Sequence, residues 1–147
     1  MKAIHVESIR SFNRFYTRII GLLDEYILDS PYTLPEARIL FEINRHRQIT
    51  ALDIINELKI DKGYLSRILR KFERQTLIRK ERSAQDGRSA YLILTEHGQQ
   101  VFQDLNQRSQ EQIRNIFSGL DEEDQALLID RMQDVQKIIS SYGITPS

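Results

Sequence analysis

The stretch Asp61-Lys62-Gly63-Tyr64-Leu65-Ser66-Arg67-Ile68-Leu69-Arg70-Lys71-Phe72-Glu73-Arg74 decides the fold. Leu65, Ile68, Leu69 and Phe72 recur at i, i+3, i+4 and i+7, one apolar face of an α-helix. At 3.6 residues per turn, Gly63, Arg67, Arg70 and Arg74 fall opposite that face. Ser66, Lys71 and Tyr64 flank it. Asp61 is a good N-cap, because its carboxylate can accept from the unpaired amides of the first turn. A solvated helix face ordinarily mixes charge signs; on this helix only Glu73 is acidic.

Working outward, Thr50 followed by Asp53 resembles a capping box. It predicts a short helix with Leu52, Ile55 and Leu58 inward, closed by a tight turn at Lys59-Ile60. Pro35 suits a first helical position. Ala37, Ile39, Leu40 and Ile43 outline a helix ending near Arg45. Downstream of Leu77 the period changes. Residues 78–82 and 90–94 read as short strands, joined by a polar loop with Asp86-Gly87 as turn chemistry.

Long helices flank this centre. Ile9, Phe12, Tyr16, Ile19, Leu23 and Tyr26 form a heptad stripe, ended at Ser30-Pro31. Thr95 caps a fifth helix with Val101, Phe102, Leu105, Ile113, Ile116 and Phe117 inward, and Gly119 as its stop. Asp121-Glu122-Glu123-Asp124 opens a sixth, with acids at the positive end of the helix dipole. Leu128, Met132, Val135, Ile139 and Tyr142 are its stripe, and Gly143 and Pro146 close it.

The predicted fold class is mainly α with a small β-hairpin. Residues 35–95 form a winged helix-turn-helix domain. Residues 1–30 and 96–147 are dimerisation helices, because their stripes have no obvious partner in so small a domain. The expected dimer interface includes Ile9, Phe12, Tyr16, Ile113, Phe117, Val135, Ile139 and Tyr142.

The chain has 147 residues, with 21 Lys+Arg balancing 21 Asp+Glu. That neutrality hides a concentration. Residues 62–88 carry net +6, against −1 for residues 1–61 and −5 for residues 95–147. A basic block inside a neutral chain points to nucleic acid. Cys is 0, which excludes disulfides, thiolate metal sites and thiol redox sensing. No apolar run approaches a membrane span and no signal-peptide pattern opens the chain, so no membrane partner and a cytoplasmic location are expected. His5, His46 and His97 lack metal-ligand spacing. Phosphate-loop, dinucleotide and nucleophile-elbow patterns are missing, so neither enzymatic activity nor a cofactor is expected.

Arginine offers bidentate donors to guanine edges and phosphates. Lys62, Gly63, Tyr64, Ser66 and Arg67, on the early turns of the helix, are assigned to base edges or adjacent phosphates of double-stranded DNA. Arg70, Lys71 and Arg74 are assigned to the phosphate backbone, and Lys80 of the hairpin is counted among the DNA-binding residues. Arg88 is placed to enter a minor groove, with Asp86 orienting a nearby arginine. Arg14, Tyr16 and Arg18 outline a crevice on the first helix, although Tyr16 also belongs to the apolar stripe; no ligand residue is assigned.

The run Ile60–Leu69, the wing Asp86-Gly87-Arg88 and the closing Leu94-Thr95-Glu96-His97-Gly98 together resemble the MarR family of bacterial transcriptional regulators. The resemblance covers nearly the whole chain. It implies a homodimer built from the first, fifth and sixth helices. It implies a repressor on a pseudo-palindromic operator, released by a small aromatic or phenolic effector. The family's wing Asp and Arg carry onto Asp86 and Arg88, and its recognition-helix Ser/Thr-Arg pair onto Ser66 and Arg67. Two departures stand out. Thr76 occupies a position where family members often have Gly, which argues against a left-handed cap there, and Gly87 replaces a bulkier wing residue. Residues 9–18 and 30–38 also resemble a subgroup in which the domain precedes a GNAT-type acetyltransferase. The chain ends after the sixth helix, so the acetyltransferase is expected to be absent. The competing readings are a regulatory half of such an enzyme, or a winged helix used only for protein contacts.

Overall fold

The computed structural model describes residues 1–21, 30–82, 84, 87 and 89–144, without the side chains of residues 20 and 21. Six helices and one hairpin follow in the order α1 (Ala3–Gly21), α2 (Leu34–Arg45), α3 (Ala51–Leu58), α4 (Lys62–Arg74), β1 (Ile78–Arg82), β2 (Ala90–Leu94), α5 (Glu96–Ile116) and α6 (Glu122–Ser141). Two compact units result, Met1–Ile113 and Arg114–Ser147.

Local chemistry sets the element ends. Thr33 opens α2 with a reciprocal capping box to Glu36, so Pro35 is the second helical residue rather than the first. Thr50 and Asp53 form a second capping box on α3. Asp61 accepts from the Tyr64 amide at 2.9 Å to open α4. Each such cap contributes about 1 kcal/mol. Lys59 supplies the tight turn between α3 and α4 in a left-handed conformation, φ 53°.

The core gathers Ala37, Ile39, Leu40 and Ile43 of α2, Ile54 of α3, the four apolar residues of α4, Leu77, Ile78, Leu92, Leu94 and Leu105. Burying each large aliphatic or phenyl side chain is worth roughly 1.5–3 kcal/mol. Leu52 was expected inward but is 64% exposed. The buried stripe of α3 is Ala51, Ile54, Ile55 and Leu58, at i, i+3, i+4 and i+7, and Leu52 falls outside that arc.

β1 and β2 pair antiparallel in the register Ile78↔Leu94 through Arg82↔Ala90. The Leu92 amide turns to the other side and donates to the Ile49 carbonyl at 2.8 Å. This isolated bridge ties the hairpin to the chain just ahead of α3. Phe102 of α5 meets Phe41 of α2 edge-on, with centroids 5.0 Å apart, so the first turns of α5 belong to the same core.

Two expectations for α5 are corrected. Ile113 is exposed, while Gln112 beside it is buried. Helix α5 ends at Ile116 and passes into a turn through Gly119. Gly119 does not take a left-handed conformation; among the described residues Gly143 is the only glycine with positive φ. The start of α6 is as expected, with Asp121 accepting from the Asp124 amide at 2.8 Å. Among the described residues, α6 has none that is buried. The expected positions Leu23, Tyr26, Asp86, Arg88 and Pro146 lie outside the described residues.

Candidate nucleic-acid interface

Helix α4 is held by its apolar face and presents the other. Leu65, Ile68, Leu69 and Phe72 are buried. Lys62, Gly63, Tyr64, Ser66, Arg67, Arg70 and Arg74 are exposed. Among the described residues Arg67, Arg70 and Arg74 form no ion pair. The Arg67 guanidinium lies 6.0 Å from the centroid of the Tyr64 ring, a cation–π distance. A Cβ on Gly63 would stand 3.1 Å from Asp61 Oδ2 and 3.8 Å from Arg67 Nη1. The bare backbone at Gly63 therefore leaves room for both the cap and the arginine.

The end of α4 is a Schellman motif. The Leu77 amide donates to the Phe72 carbonyl at 2.9 Å and the Thr76 amide to the Glu73 carbonyl at 3.0 Å. Thr76 is left-handed, φ 58°, which corrects the expectation that a threonine here argues against this cap. Its neighbours support the unusual conformation. The Thr76 hydroxyl donates to the Gln75 carbonyl at 2.6 Å, and the Thr95 hydroxyl donates to the Thr76 carbonyl. His97 Nδ1 lies 3.2 Å from the Gln75 carbonyl oxygen. Gly98 completes the junction, because a Cβ there would fall 1.9 Å from the Leu77 carbonyl oxygen. The Leu-Thr-Glu-x-Gly pattern thus fixes the α4 terminus against the start of α5.

An open groove of about 460 Å³ runs between the N-terminus of α3, one flank of α4 and the hairpin. Thr50, Ser66, Arg70, Glu73, Lys80 and Ser89 are its polar lining; Ala51, Leu52, Leu69, Ala90 and Leu92 are its apolar lining. Exposed Leu52, misplaced by the sequence pattern, thus lines a groove beside the basic face. Lys80 pairs with Glu73 at 3.1 Å, both half-exposed, and Arg79 pairs with Glu81 at 3.0 Å.

Lys71 departs from its expected place. Its side chain is half-buried, and its ammonium sits 2.6 Å from the carboxylate of Glu36, which is only 6% exposed. Helix periodicity alone placed Lys71 on the flank of the basic face; Glu36 on α2 draws it to the α2 side. Glu36 is the residue that sequence reasoning missed. Its capping position after Thr33 was readable, but its long-range partner was not.

The positions expected at a dimer interface are exposed or half-buried in the single chain. Ile9, Phe12, Ile113, Val135, Ile139 and Tyr142 are exposed, and Tyr16 and Phe117 are half-buried. Phe12 and Tyr16 stack with centroids 5.7 Å apart. In the crevice expected on α1, Arg14 pairs with Glu7 at 2.8 Å. No helix of the described residues is long and apolar enough to cross a membrane.

Residues 30–89 match the MarR family. The chain is 30% identical over 82 residues to the HTH-type transcriptional regulator BilQ of Clostridioides difficile, covering 56% of this chain and 50% of that one. It is 35% identical over 66 residues to an organic hydroperoxide resistance transcriptional regulator of Bacillus subtilis, 45% of each. It therefore spans about half the length of these curated relatives. Among solved structures, apo MarR from E. coli superposes with a TM-score of 0.73 at 21% identity, over 86% of this chain and 94% of that one. A mutant MarR from E. coli complexed with operator DNA gives 0.67 at 21%, over 86% and 91%. PcaV from Streptomyces coelicolor, in complex with its natural ligand, gives 0.66 at 21%, over 86% and 89%. The capped helix-turn-helix, its hairpin wing and these matches agree: the chain has the winged helix-turn-helix fold of the MarR structures, and residues 30–89 are similar to the MarR family of transcriptional regulators.

Proposed function

We infer that this protein represses transcription by binding a pseudo-palindromic DNA operator as a homodimer. The observation that carries the reading is the exposed face of α4, where Arg67, Arg70 and Arg74 stand without carboxylate partners among the described residues. Such a face supplies counterion-releasing cations and major-groove donors together. Lys62, Gly63, Tyr64, Ser66 and Arg67 take the base edges and adjacent phosphates. Arg70 and Arg74 take the phosphate backbone, and the groove beside Arg70 and Lys80 accommodates it. Asp86 and Arg88 act from the wing, with Arg88 in the minor groove.

Dimerisation rests on residues 1–30 and 96–147 and covers the apolar positions of α1, α5 and α6. It must set the two recognition helices about one duplex turn apart, ~34 Å. A small aromatic or phenolic effector releases the DNA by favouring a different spacing of the two lobes. Selection of bound duplexes from a random pool tests the reading. A two-fold symmetric site with half-sites one turn apart is expected. Recovery of no enriched sequence by the folded protein, even at low salt, refutes it.

A further inference from the structure

Lys71 and Glu36 lie on different helices and are joined more tightly than any other ion pair among the described residues. One oxygen of the Glu36 carboxylate accepts from the Thr33 amide at 3.2 Å and from the Thr33 hydroxyl at 3.1 Å. The other receives the Lys71 ammonium at 2.6 Å. The same ammonium stands 5.5 Å from the centroid of the Tyr32 ring. Tyr32 in turn meets Phe72 edge-on at 6.5 Å, and its hydroxyl reaches Gln75 Oε1 at 3.4 Å. Residues 32–36 thus hold the C-terminal half of α4 through one cation, one ring and one amide.

We propose that Glu36 withholds Lys71 from the DNA backbone and uses it to fix the angle of the recognition helix. Lys71 is then a positioning residue, and Arg70 and Arg74 are the phosphate ligands. This deepens the DNA-binding reading and rests on it. The physical ground is the cost of separation. Moving the ammonium to a phosphate would leave the buried Glu36 carboxylate unpaired, and an uncompensated buried charge is strongly unfavourable. A helix whose tilt is fixed by a pair with one buried partner presents Arg67 to the bases in one orientation, so the pair serves sequence discrimination rather than general affinity.

The test measures operator and random-duplex affinities of the full chain across a salt series. Arg74→Ala is the reference and is expected to reduce the salt slope by about 0.9, the loss of one phosphate contact. Lys71→Met is expected to leave the slope unchanged yet narrow the operator-to-random affinity ratio about tenfold, an estimate from the cost of one misplaced base contact. Lys71→Arg, which preserves the charge, should restore that ratio. In Glu36→Gln the carboxamide still accepts from Thr33 but carries no charge. Lys71 is released, and the slope should steepen by about 0.9. This second variant decides the matter if Lys71→Met does not fold. Any of three results overturns the proposal: a Lys71→Met slope reduced like that of Arg74→Ala, an unchanged affinity ratio in Lys71→Met, or no steepening in Glu36→Gln. Failure of the wild-type chain to bind any duplex overturns the DNA-binding reading itself.

Discussion

Arg67 lies beside the ring of Tyr64 with only the bare backbone of Gly63 one turn below. A guanidinium held in that way loses less freedom when it engages a base than one on an unsupported stem. Arg67→Ala is expected to cost about 1–3 kcal/mol of operator binding and to relax specificity at one base pair. Arg74→Ala should weaken operator and random duplex alike. Titrations of single-base operator variants separate the two patterns, and wild-type discrimination by Arg67→Ala would contradict the assignment. Gly98 makes a different demand. Its missing Cβ is what lets Leu77 and the start of α5 touch. Gly98→Ala should destabilise the fold by about 3 kcal/mol or more, because the clash is with backbone and has no rotamer to relieve it. Urea unfolding measures that loss.

At the scale of elements, capping chemistry was the most legible part of the sequence. Thr50 with Asp53, Asp61, Thr95 and Asp121 each opened a helix where their hydroxyl or carboxylate chemistry requires. The hairpin bounds followed from the change of period, and both strands fell at the expected residues. What escaped had a physical reason in each case. In α3, two interleaved apolar patterns share Ile55 and Leu58, and only packing against α4 and β2 selects the one with Ile54. At Thr76, propensity favoured glycine, but hydrogen bonds from Thr95 and the Thr76 hydroxyl support the left-handed residue. The Glu36–Lys71 pair joins two helices far apart in sequence, beyond the reach of any local pattern. The contact of α2 and α4 also predicts a pH dependence. Burial pushes the Tyr32 hydroxyl above the usual phenol range; Lys71 opposes this and Glu36 adds to it. The fold thus prefers the neutral phenol. Its contribution to stability is full below the unfolded phenol pKa, about 10, and is lost as pH rises through the higher folded value. As pH rises through and above about 10, urea midpoints should fall more steeply in wild type than in Tyr32→Phe.

For the whole molecule, the basic block of residues 62–88 and the acidic segment 95–147 reside in different parts of the chain. The charge balance told nothing of the partner until it was divided along the sequence. Apolar side chains of α1 and α6 remain exposed, and single chains seldom leave so much apolar surface in water. Sedimentation at micromolar concentration should therefore give a dimer. A Val135→Glu, Ile139→Glu double variant should shift it to monomer and lower operator affinity, while the far-ultraviolet spectrum of the α2–α4 lobe persists. A monomeric wild type would remove the two-lobe mechanism.

The bridge from the Leu92 amide to the Ile49 carbonyl has a consequence in time as well as in space. The β1–β2 pairing closes a short loop, whereas Ile49 and Leu92 are separated by all of α3, α4 and β1. Loop-closure entropy and contact order both rise with that separation. During refolding the hairpin therefore zips first, and Leu92 joins Ile49 only after α3 and α4 have docked. In a pulsed hydrogen-exchange experiment the Leu92 amide should become protected later than the amides that face β1. The last bond to form at the wing is the one that seats it on the helix-turn-helix.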